Sequence, residues 1–321
     1  MPSSIQPDHS NYPHNLPPPL LVILGPTAVG KTEIAIQLAE RMQGEIISVD
    51  SRLFYRGMDI GTAKPSSAEL HRVPHYLVDI AAPDQILSLA VFQSLARTAI
   101  ADVRERGKLP FLVGGTGQYL RAVTEGWLPP AVTPSTELRA ALETWAQAIG
   151  SQALHQRLSI IDPLAAQNID YRNQRRTIRA LEVIFTTGQR FSAQRRRGEV
   201  FDRVLQIGLT RPRPELYQRI DARIAAMFSA GLVEEVRQLL AAGYAPDLPA
   251  FSAIGYREVI AYLMGKTTLE QAEQDIRRAT HSYVRRQANW FKPDDPAIHW
   301  FQVNTQTVGD IEAFITDWLN Q

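Results

Sequence analysis

Cysteine is absent from the 321-residue chain. Its absence excludes disulfide bonds, thiolate zinc sites and a cysteine nucleophile, and it suits a reducing compartment. Any bound metal must therefore use oxygen or imidazole ligands. Long apolar runs are also missing, because the run from Leu20 to Leu24 is far too short to span a membrane. We expect a cytoplasmic protein that has no membrane partner.

Lysine and arginine are missing from the first 19 residues, which contain six prolines. A signal peptide needs a charged start and an apolar run, and this segment has neither. We therefore predict a disordered, proline-rich tail over residues 1–19. The whole chain is 45% hydrophobic and 21% charged, which is typical of globular proteins, and its length allows one large or two modest domains.

Net charge is also low, at +1, but arginine is unevenly distributed. Ten arginines and three acidic residues lie between Arg172 and Arg211, and they include the run "QRRRG" at 194–198. Three-and-four spacing places Arg172, Arg175, Arg176 and Arg179 along one stripe of a predicted helix. Such a stripe favours binding to the backbone of a nucleic acid, although a solvated helix face has the same composition.

The chain contains one strong motif, the stretch "LGPTAVGKT" from Leu24 to Thr32. It matches the phosphate-binding loop G-x-x-x-x-G-K-[ST], whose usual ligand is a nucleotide such as ATP. In such a loop the backbone amides converge on phosphate oxygens, the lysine adds a point charge and the hydroxyl binds Mg²⁺. Lys31 and Thr32 would have these last two roles.

Short apolar runs that alternate with helical periods predict an α/β fold, a parallel sheet flanked by helices. The runs are Leu20–Leu24, Glu45–Val49, Phe111–Val113 and residues 203–209. Helical periods over Phe92–Val103 and over about 268–291 predict two further helices, and the second has a basic surface with Arg278, His281, Arg285 and Asn289 on one face. Residues 136–188 have only helical periods. We therefore predict a P-loop core at residues 20–126 and 201–321 that includes the C-terminal helices. We predict an all-helical insertion domain at residues 127–200, which carries the arginine stripe and would bind a nucleic acid through it.

Polar residues follow two of the predicted strands. Asp50 follows the second strand and Thr116 lies in "GGTG" at 114–117, so both point toward the crevice where such sheets bind ligands. Asp50 is a candidate magnesium ligand or general base, or it merely caps the next helix. On the loop "DIGTAKP" (59–65), Lys64 is expected to be solvated. The residues alone leave a P-loop kinase and a non-catalytic RNA-binding NTPase open.

Longer stretches resemble one family, the bacterial tRNA dimethylallyltransferases, also called tRNA isopentenyltransferases. The resemblance extends from Gly25 to about Trp300. The stretches that carry it are "GPTAVGKT" (25–32), "SVDSRLFYRGMDIGTAKP" (48–65), "VPHYLVDI" (73–80), "VGGTGQYL" (113–120), "RALEV" (179–183), "GLVEEV" (231–236), "AIGYREVI" (253–260) and "RRQANWF" (285–291).

This resemblance implies transfer of a dimethylallyl group from dimethylallyl diphosphate to N6 of adenine 37, beside the anticodon of tRNAs that read codons beginning with U. By similarity, Asp50 is the general base and Thr116 orients the adenine. The loop would bind the diphosphate with Mg²⁺ on Thr32. The implied diphosphate-binding residues are Gly25, Pro26, Thr27, Ala28, Val29, Gly30, Lys31, Thr32, Arg219 and Arg223.

The resemblance also implies contacts to the tRNA anticodon loop by Asp50, Ser51, Arg52, Leu53, Arg175, Arg176 and Arg179. Arg52 and Leu53 depart from the family, which usually has methionine and glutamine there, so Arg52 is expected to bind a phosphate instead. Arg175 stands where the family has glutamine. We expect the protein to be a monomer.

Overall fold

The structure is a computed structural model that describes residues 17–321 except 129, 131, 133, 134, 195, 199 and 202. Residues 1–16 of the predicted tail lie outside the described residues. Its last residues are ordered, because Arg104 donates hydrogen bonds to the carbonyl oxygens of Pro18 (2.7 Å) and Pro19 (3.0 Å). The described chain forms two compact units, one up to Thr124 and from Phe201 to Gln321, the other Glu125–Val200.

The first unit contains a six-stranded parallel sheet with the order β3-β2-β4-β1-β7-β8. The central strand β1 pairs with β4 and β7, so Leu24 lies opposite Gly114 and Gly208. In chain order the strands of the described residues are β1 Leu20–Leu24, β2 Gly44–Ser48, β3 His75–Tyr76, β4 Leu109–Gly114, β5 Trp127–Leu128, β6 Arg196–Arg197, β7 Val204–Thr210 and β8 Ile298–Gln302.

Helices cover the sheet on both faces and form most of the second unit. Their bounds are α1 Lys31–Arg41, α2 Ser67–Arg72, α3 Leu89–Glu105, α4 Gly117–Thr124, α5 Thr136–Ile149, α6 Ser151–Ile161, α7 Pro163–Gln167, α8 Gln174–Thr187, α9 Arg213–Ser229, α10 Leu232–Ala241, α11 Tyr256–Leu263, α12 Leu269–Gln287 and α13 Thr307–Leu319. Among the described residues, no helix has both the length and the apolar character to cross a membrane.

Local sequence explains where these elements begin. β1 is wholly buried between two apolar clusters, as expected for a central strand of a parallel sheet. The hydroxyl of Ser88 accepts a hydrogen bond from the amide of Val91 and starts α3, and Thr268 starts α12 in the same way. All six parallel strands end on the same side of the sheet, where the loops after β1, β2 and β4 meet.

The predicted parallel sheet with flanking helices is confirmed, but three elements near the C-terminus differ from the prediction. The last predicted helix was to reach Phe291, yet α12 ends at Gln287, so Asn289 does not share its face. Strand β8 and helix α13 were not predicted. β8 lies at the edge of the sheet and is only partly buried, which weakens its apolar signal.

The second unit has its own apolar core, formed by helices α5, α6, α7 and α8. Leu154, Leu158 and Leu181 are fully buried in it. The unit is helical apart from the two-residue antiparallel pair β5–β6, which periodicity did not predict because two residues carry no pattern.

Candidate active site

The phosphate-binding loop joins β1 to α1 in a left-handed backbone path. Gly25 has φ +149°, Ala28 +66° and Gly30 +110°. A Cβ atom on Gly25 would lie 2.6 Å from the carbonyl oxygen of Leu209, so the loop packs too closely on β7 for any larger residue. The loop therefore ends at the N-terminus of α1, where free amides and the helix dipole favour an anion.

Lys31 lies folded over this loop. Its Nζ donates hydrogen bonds to the carbonyl oxygens of Gly25 (3.0 Å) and Pro26 (2.8 Å). Burial lowers the pKa of Lys31 to about 8, the charge of Asp50 opposes this shift, and the charge of Arg223 adds to it. The ammonium is therefore poorly solvated and well placed to gain from an incoming anion.

Three arginines lie near the loop, one just after β7 and two on α9. Arg219 donates from Nε to the carbonyl oxygen of Ala28 at 2.9 Å, and Arg223 donates from Nη2 to that of Thr62 at 3.5 Å. Burial lowers the pKa of the Arg223 guanidinium, against the charge of Asp50. Arg211, which the sequence analysis did not select, donates from Nε to Val29 at 2.8 Å.

Asp50 follows β2 and closes a turn. Its Oδ1 accepts a hydrogen bond from the amide of Arg52 at 3.0 Å, and its carbonyl accepts one from Leu53 at 3.1 Å. The next helix, α2, begins only at Ser67, so Asp50 is not a helix cap.

Two tyrosines lie beside this carboxylate. Burial raises the pKa of Tyr119, and the charges of Tyr55 and Asp50 raise it further. Burial and then the charge of Asp50 raise the pKa of Tyr283. The charge of Asp50 therefore acts on one tyrosine of α4 and on one of α12.

Gln287 connects the phosphate-binding loop to the "GGTG" turn, and sequence reasoning missed it. Its Oε1 accepts a hydrogen bond from the amide of Thr27 (2.9 Å), and its Nε2 donates to the carbonyl of Gly115 (3.0 Å). A Cβ on Gly115 would lie 2.5 Å from that Nε2, so this close approach requires glycine. The available signal was an amide side chain at the end of an amphipathic helix, which is too common to select.

Glu235 holds the loop at 59–61. It accepts hydrogen bonds from the amides of Asp59 (2.9 Å), Ile60 (2.7 Å) and Gly61 (3.2 Å), and from the hydroxyl of Tyr256 at 2.6 Å. The expectation that Lys64 is solvated is wrong. Its side chain is 4% exposed and pairs with Asp59 and Asp79.

Arg52 binds protein acceptors in this structure. Its guanidinium donates to the carbonyl oxygens of Pro249 (3.3 Å) and Ala250 (3.2 Å) and to Ser252 Oγ (3.2 Å). The phosphate contact expected for Arg52 stays a prediction. Leu53 and Ser51 lie partly exposed beside it.

The arginines predicted to bind tRNA differ in their surroundings. Arg175 and Arg176 are exposed on α8. Arg179 instead donates to Glu182 Oε2 and to the carbonyl of Val132, at 2.8 and 2.9 Å. Arg195 of the "QRRRG" run lies outside the described residues.

The second basic surface, predicted on the C-terminal helix, is largely paired in this structure. Arg277 forms ion pairs with Glu273 and Asp221, and Arg278 pairs with Asp275. The guanidinium of Arg286 lies over the ring of Tyr283.

The described residues contain no group of three or more histidine, cysteine, aspartate or glutamate side chains able to hold a metal ion. Thr32 is exposed in the first turn of α1 and presents a hydroxyl oxygen there. Hard cations such as Mg²⁺ prefer oxygen ligands and commonly share them with substrate phosphates. The residues therefore fit a cation that arrives with a diphosphate.

Comparisons with known proteins agree on one family. The family described as IPP transferase matches residues 53–294. A tRNA dimethylallyltransferase of Roseiflexus sp. is 54% identical over 274 residues, which cover 85% of this chain and 90% of the relative. A relative of the same name from Thermomicrobium roseum is 48% identical over 285 residues, 89% of this chain and 86% of its own.

Solved structures give the same result. The tRNA isopentenylpyrophosphate transferase of Bacillus halodurans has a TM-score of 0.69 at 42% identity, and the match covers 94% of this chain and 96% of the other. A eukaryotic dimethylallyltransferase acting on tRNA has a TM-score of 0.77 at 26% identity, covering 94% and 77%.

Proposed function

The chain belongs to the IPP transferase family, and we propose that it prenylates tRNA at adenine 37. The reaction transfers a dimethylallyl group from dimethylallyl diphosphate to N6 of that adenine, in tRNAs that read codons beginning with U. The products are N6-(dimethylallyl)adenosine and pyrophosphate. Among the functions that a P-loop allows, the relatives favour prenyl transfer over phosphorylation.

The observation that carries this proposal is the juxtaposition of Lys31 and Asp50. The cationic loop after β1 suits a diphosphate leaving group, and Asp50 follows β2, which only β4 separates from β1 in the sheet. The charge of Asp50 also raises the pKa of Lys31 against the effect of burial. A base next to an anion site is what transfer of carbon from a diphosphate to an amine requires.

In the proposed reaction, the loop amides and Lys31 bind the diphosphate, and Arg219 and Arg223 complete the pocket. The C1–O bond of dimethylallyl diphosphate breaks as the bond between C1 and adenine N6 forms. The electron pair of the broken bond leaves on pyrophosphate, where the cations stabilise the growing charge. Asp50 accepts the proton that N6 loses, and Thr116 orients the exocyclic amine.

Mg²⁺ fits this site as a partner of the diphosphate. Thr32 would hold it through the hydroxyl oxygen. When bound, the ion neutralises charge on the leaving group.

The tRNA contacts are assigned to the loop after β2 and to the second unit, residues 125–200. The target adenine has to leave its stack to reach the edge of the sheet. Ser51 and Leu53 are partly exposed at this edge, and Arg175 and Arg176 are exposed on α8. Arg179 and Arg52 act mainly within the protein, because both guanidinium groups have protein partners. We place the monomeric enzyme in the cytoplasm.

Dimethylallyl diphosphate with a labelled prenyl group tests the proposal. The full-length protein is incubated with unmodified tRNA and Mg²⁺, with and without ATP, and the tRNA nucleosides are analysed. We expect labelled N6-(dimethylallyl)adenosine without ATP, and no product from a tRNA in which adenine 37 is replaced. ATP-dependent phosphorylation without prenylation would favour the kinase instead.

A further inference from the structure

We propose that Gln287 is a positioning residue that holds the phosphate-binding loop and the Thr116 turn at the separation needed for prenyl transfer. The inference rests on the proposed function. Gln287 is the last residue of α12. α12 is distant in sequence from both loops that it contacts.

Gln287 provides the first contact. Its side-chain amide accepts from Thr27, in the phosphate-binding loop, and donates to Gly115, in the turn that carries Thr116. One partner is a backbone N–H and the other a carbonyl, so only one orientation of the amide satisfies both. Because Gln287 is 4% exposed, water cannot easily replace either bond.

The turn itself provides the second contact, because it packs directly on the phosphate-binding loop. A Cβ atom on Gly115 would lie 3.0 Å from the carbonyl oxygen of Gly25 and 3.5 Å from Lys31 Nζ. The turn that carries Thr116, on the nucleophile side of the reaction, is thus held against the loop that binds the leaving group.

The helix itself is well fixed. Ala272, Ile276 and Val284 are buried, and Thr268 caps its first turn. Reacting atoms have to approach within about 3–3.5 Å, and a misplacement of 1 Å can reduce the rate about 100-fold. A rigid common support for both loops therefore has a direct effect on the rate.

The test compares Gln287→Leu and Gln287→Asn with Gln274→Leu, a change at an exposed position of the same helix. Asparagine keeps the amide group but is one methylene shorter, so it should not reach both partners. Prenylation is measured in single turnovers at saturating tRNA and dimethylallyl diphosphate, and the dissociation constant of each substrate is measured separately. We expect the rates of the first two variants to fall about 10- to 100-fold, with dissociation constants within about two-fold of wild type. The Gln274→Leu variant should keep the wild-type rate.

Chemical denaturation checks that each variant is folded. A wild-type single-turnover rate for Gln287→Leu would overturn the inference, and so would a loss that lies only in the dissociation constants. If the wild-type protein does not prenylate tRNA, the proposed function fails and the inference fails with it.

Discussion

The guanidinium of Arg179 donates a hydrogen bond to the buried carboxylate of Glu182, with 2.8 Å between Nη1 and Oε2. Glu182 has no exposed side-chain surface and also pairs with Arg139 at 2.8 Å. Burial raises the pKa of Glu182, but the hydrogen bonds and charges of the two arginines outweigh it and bring the pKa below the ordinary value. Arg179 therefore has a structural role in the second unit, whatever else it contacts.

We expect Arg179→Ala to lower the free energy of unfolding by about 1–3 kcal/mol, because it removes one of two cations from a buried carboxylate. Arg176→Ala, at an exposed position, should leave stability within about 0.5 kcal/mol. Chemical denaturation measures both values, and tRNA binding is measured over a range of salt concentrations.

The same pair of variants separates structural from RNA-binding roles. Arg176→Ala should weaken tRNA binding. It should also reduce the slope of the logarithm of the binding constant against the logarithm of the salt concentration by about one. Equal stability of the two variants would contradict the structural role of Arg179. Ionised Glu182 stabilises the folded state, because its pKa is lower in the folded than in the unfolded protein. This stabilisation is complete above the ordinary pKa of 4.5 and is lost as the pH falls below that value.

Much of the fold could be predicted from the sequence, because buried parallel strands and amphipathic helices have strong periodic signals. β1 and β4 and helix α3 were found in this way. β8 was missed because an edge strand is only half buried, and α12 was extended too far because three-and-four spacing continues past Gln287. Periodicity indicates which face of a helix is apolar, but it does not indicate where the backbone hydrogen bonds of the helix end.

The site was predictable where one motif carries the chemistry, as for Lys31 and Thr32. Residues that act through tertiary contacts were not. Gln287 is 260 residues from Thr27, and Glu235 is 174 or more residues from the loop amides that it binds. Nothing local distinguishes such side chains from surface residues, and the same reason explains the wrong expectation for Lys64.

Asp50→Asn should retain binding of tRNA and dimethylallyl diphosphate but lose prenylation. A general base contributes about 10²- to 10⁴-fold to the rate, and the amide has almost the same size. Single-turnover rates and separate binding measurements provide the check. Asp84→Asn, at an exposed loop position, is the control. A normal rate for Asp50→Asn would assign the proton transfer to another group.

Thr32→Ala should increase the Mg²⁺ concentration needed for half-maximal prenylation, because it removes the only protein oxygen that we assign to the ion. We expect a shift of about ten-fold, comparable to the loss of a supporting ligand. Mg²⁺ titrations of the rate measure it, with Thr305→Ala, at an exposed position, as the control. EDTA should abolish wild-type activity, and an unchanged Mg²⁺ requirement in Thr32→Ala would remove Thr32 from the site.

Diphosphate affinity should fall as the pH rises above about 8, because burial lowers the pKa of Lys31 to about 8 and the ligand binds the charged form. The stability of the folded protein changes with pH in the opposite direction to the diphosphate affinity. A lowered lysine pKa penalises the folded state below pH 8, and the penalty is relieved as the pH rises from 8 toward 10.5. Calorimetry with pyrophosphate between pH 7 and 10 should show uptake of about one proton near pH 9, absent in Lys31→Met. The same pH dependence in Lys31→Met would assign the titration to another group.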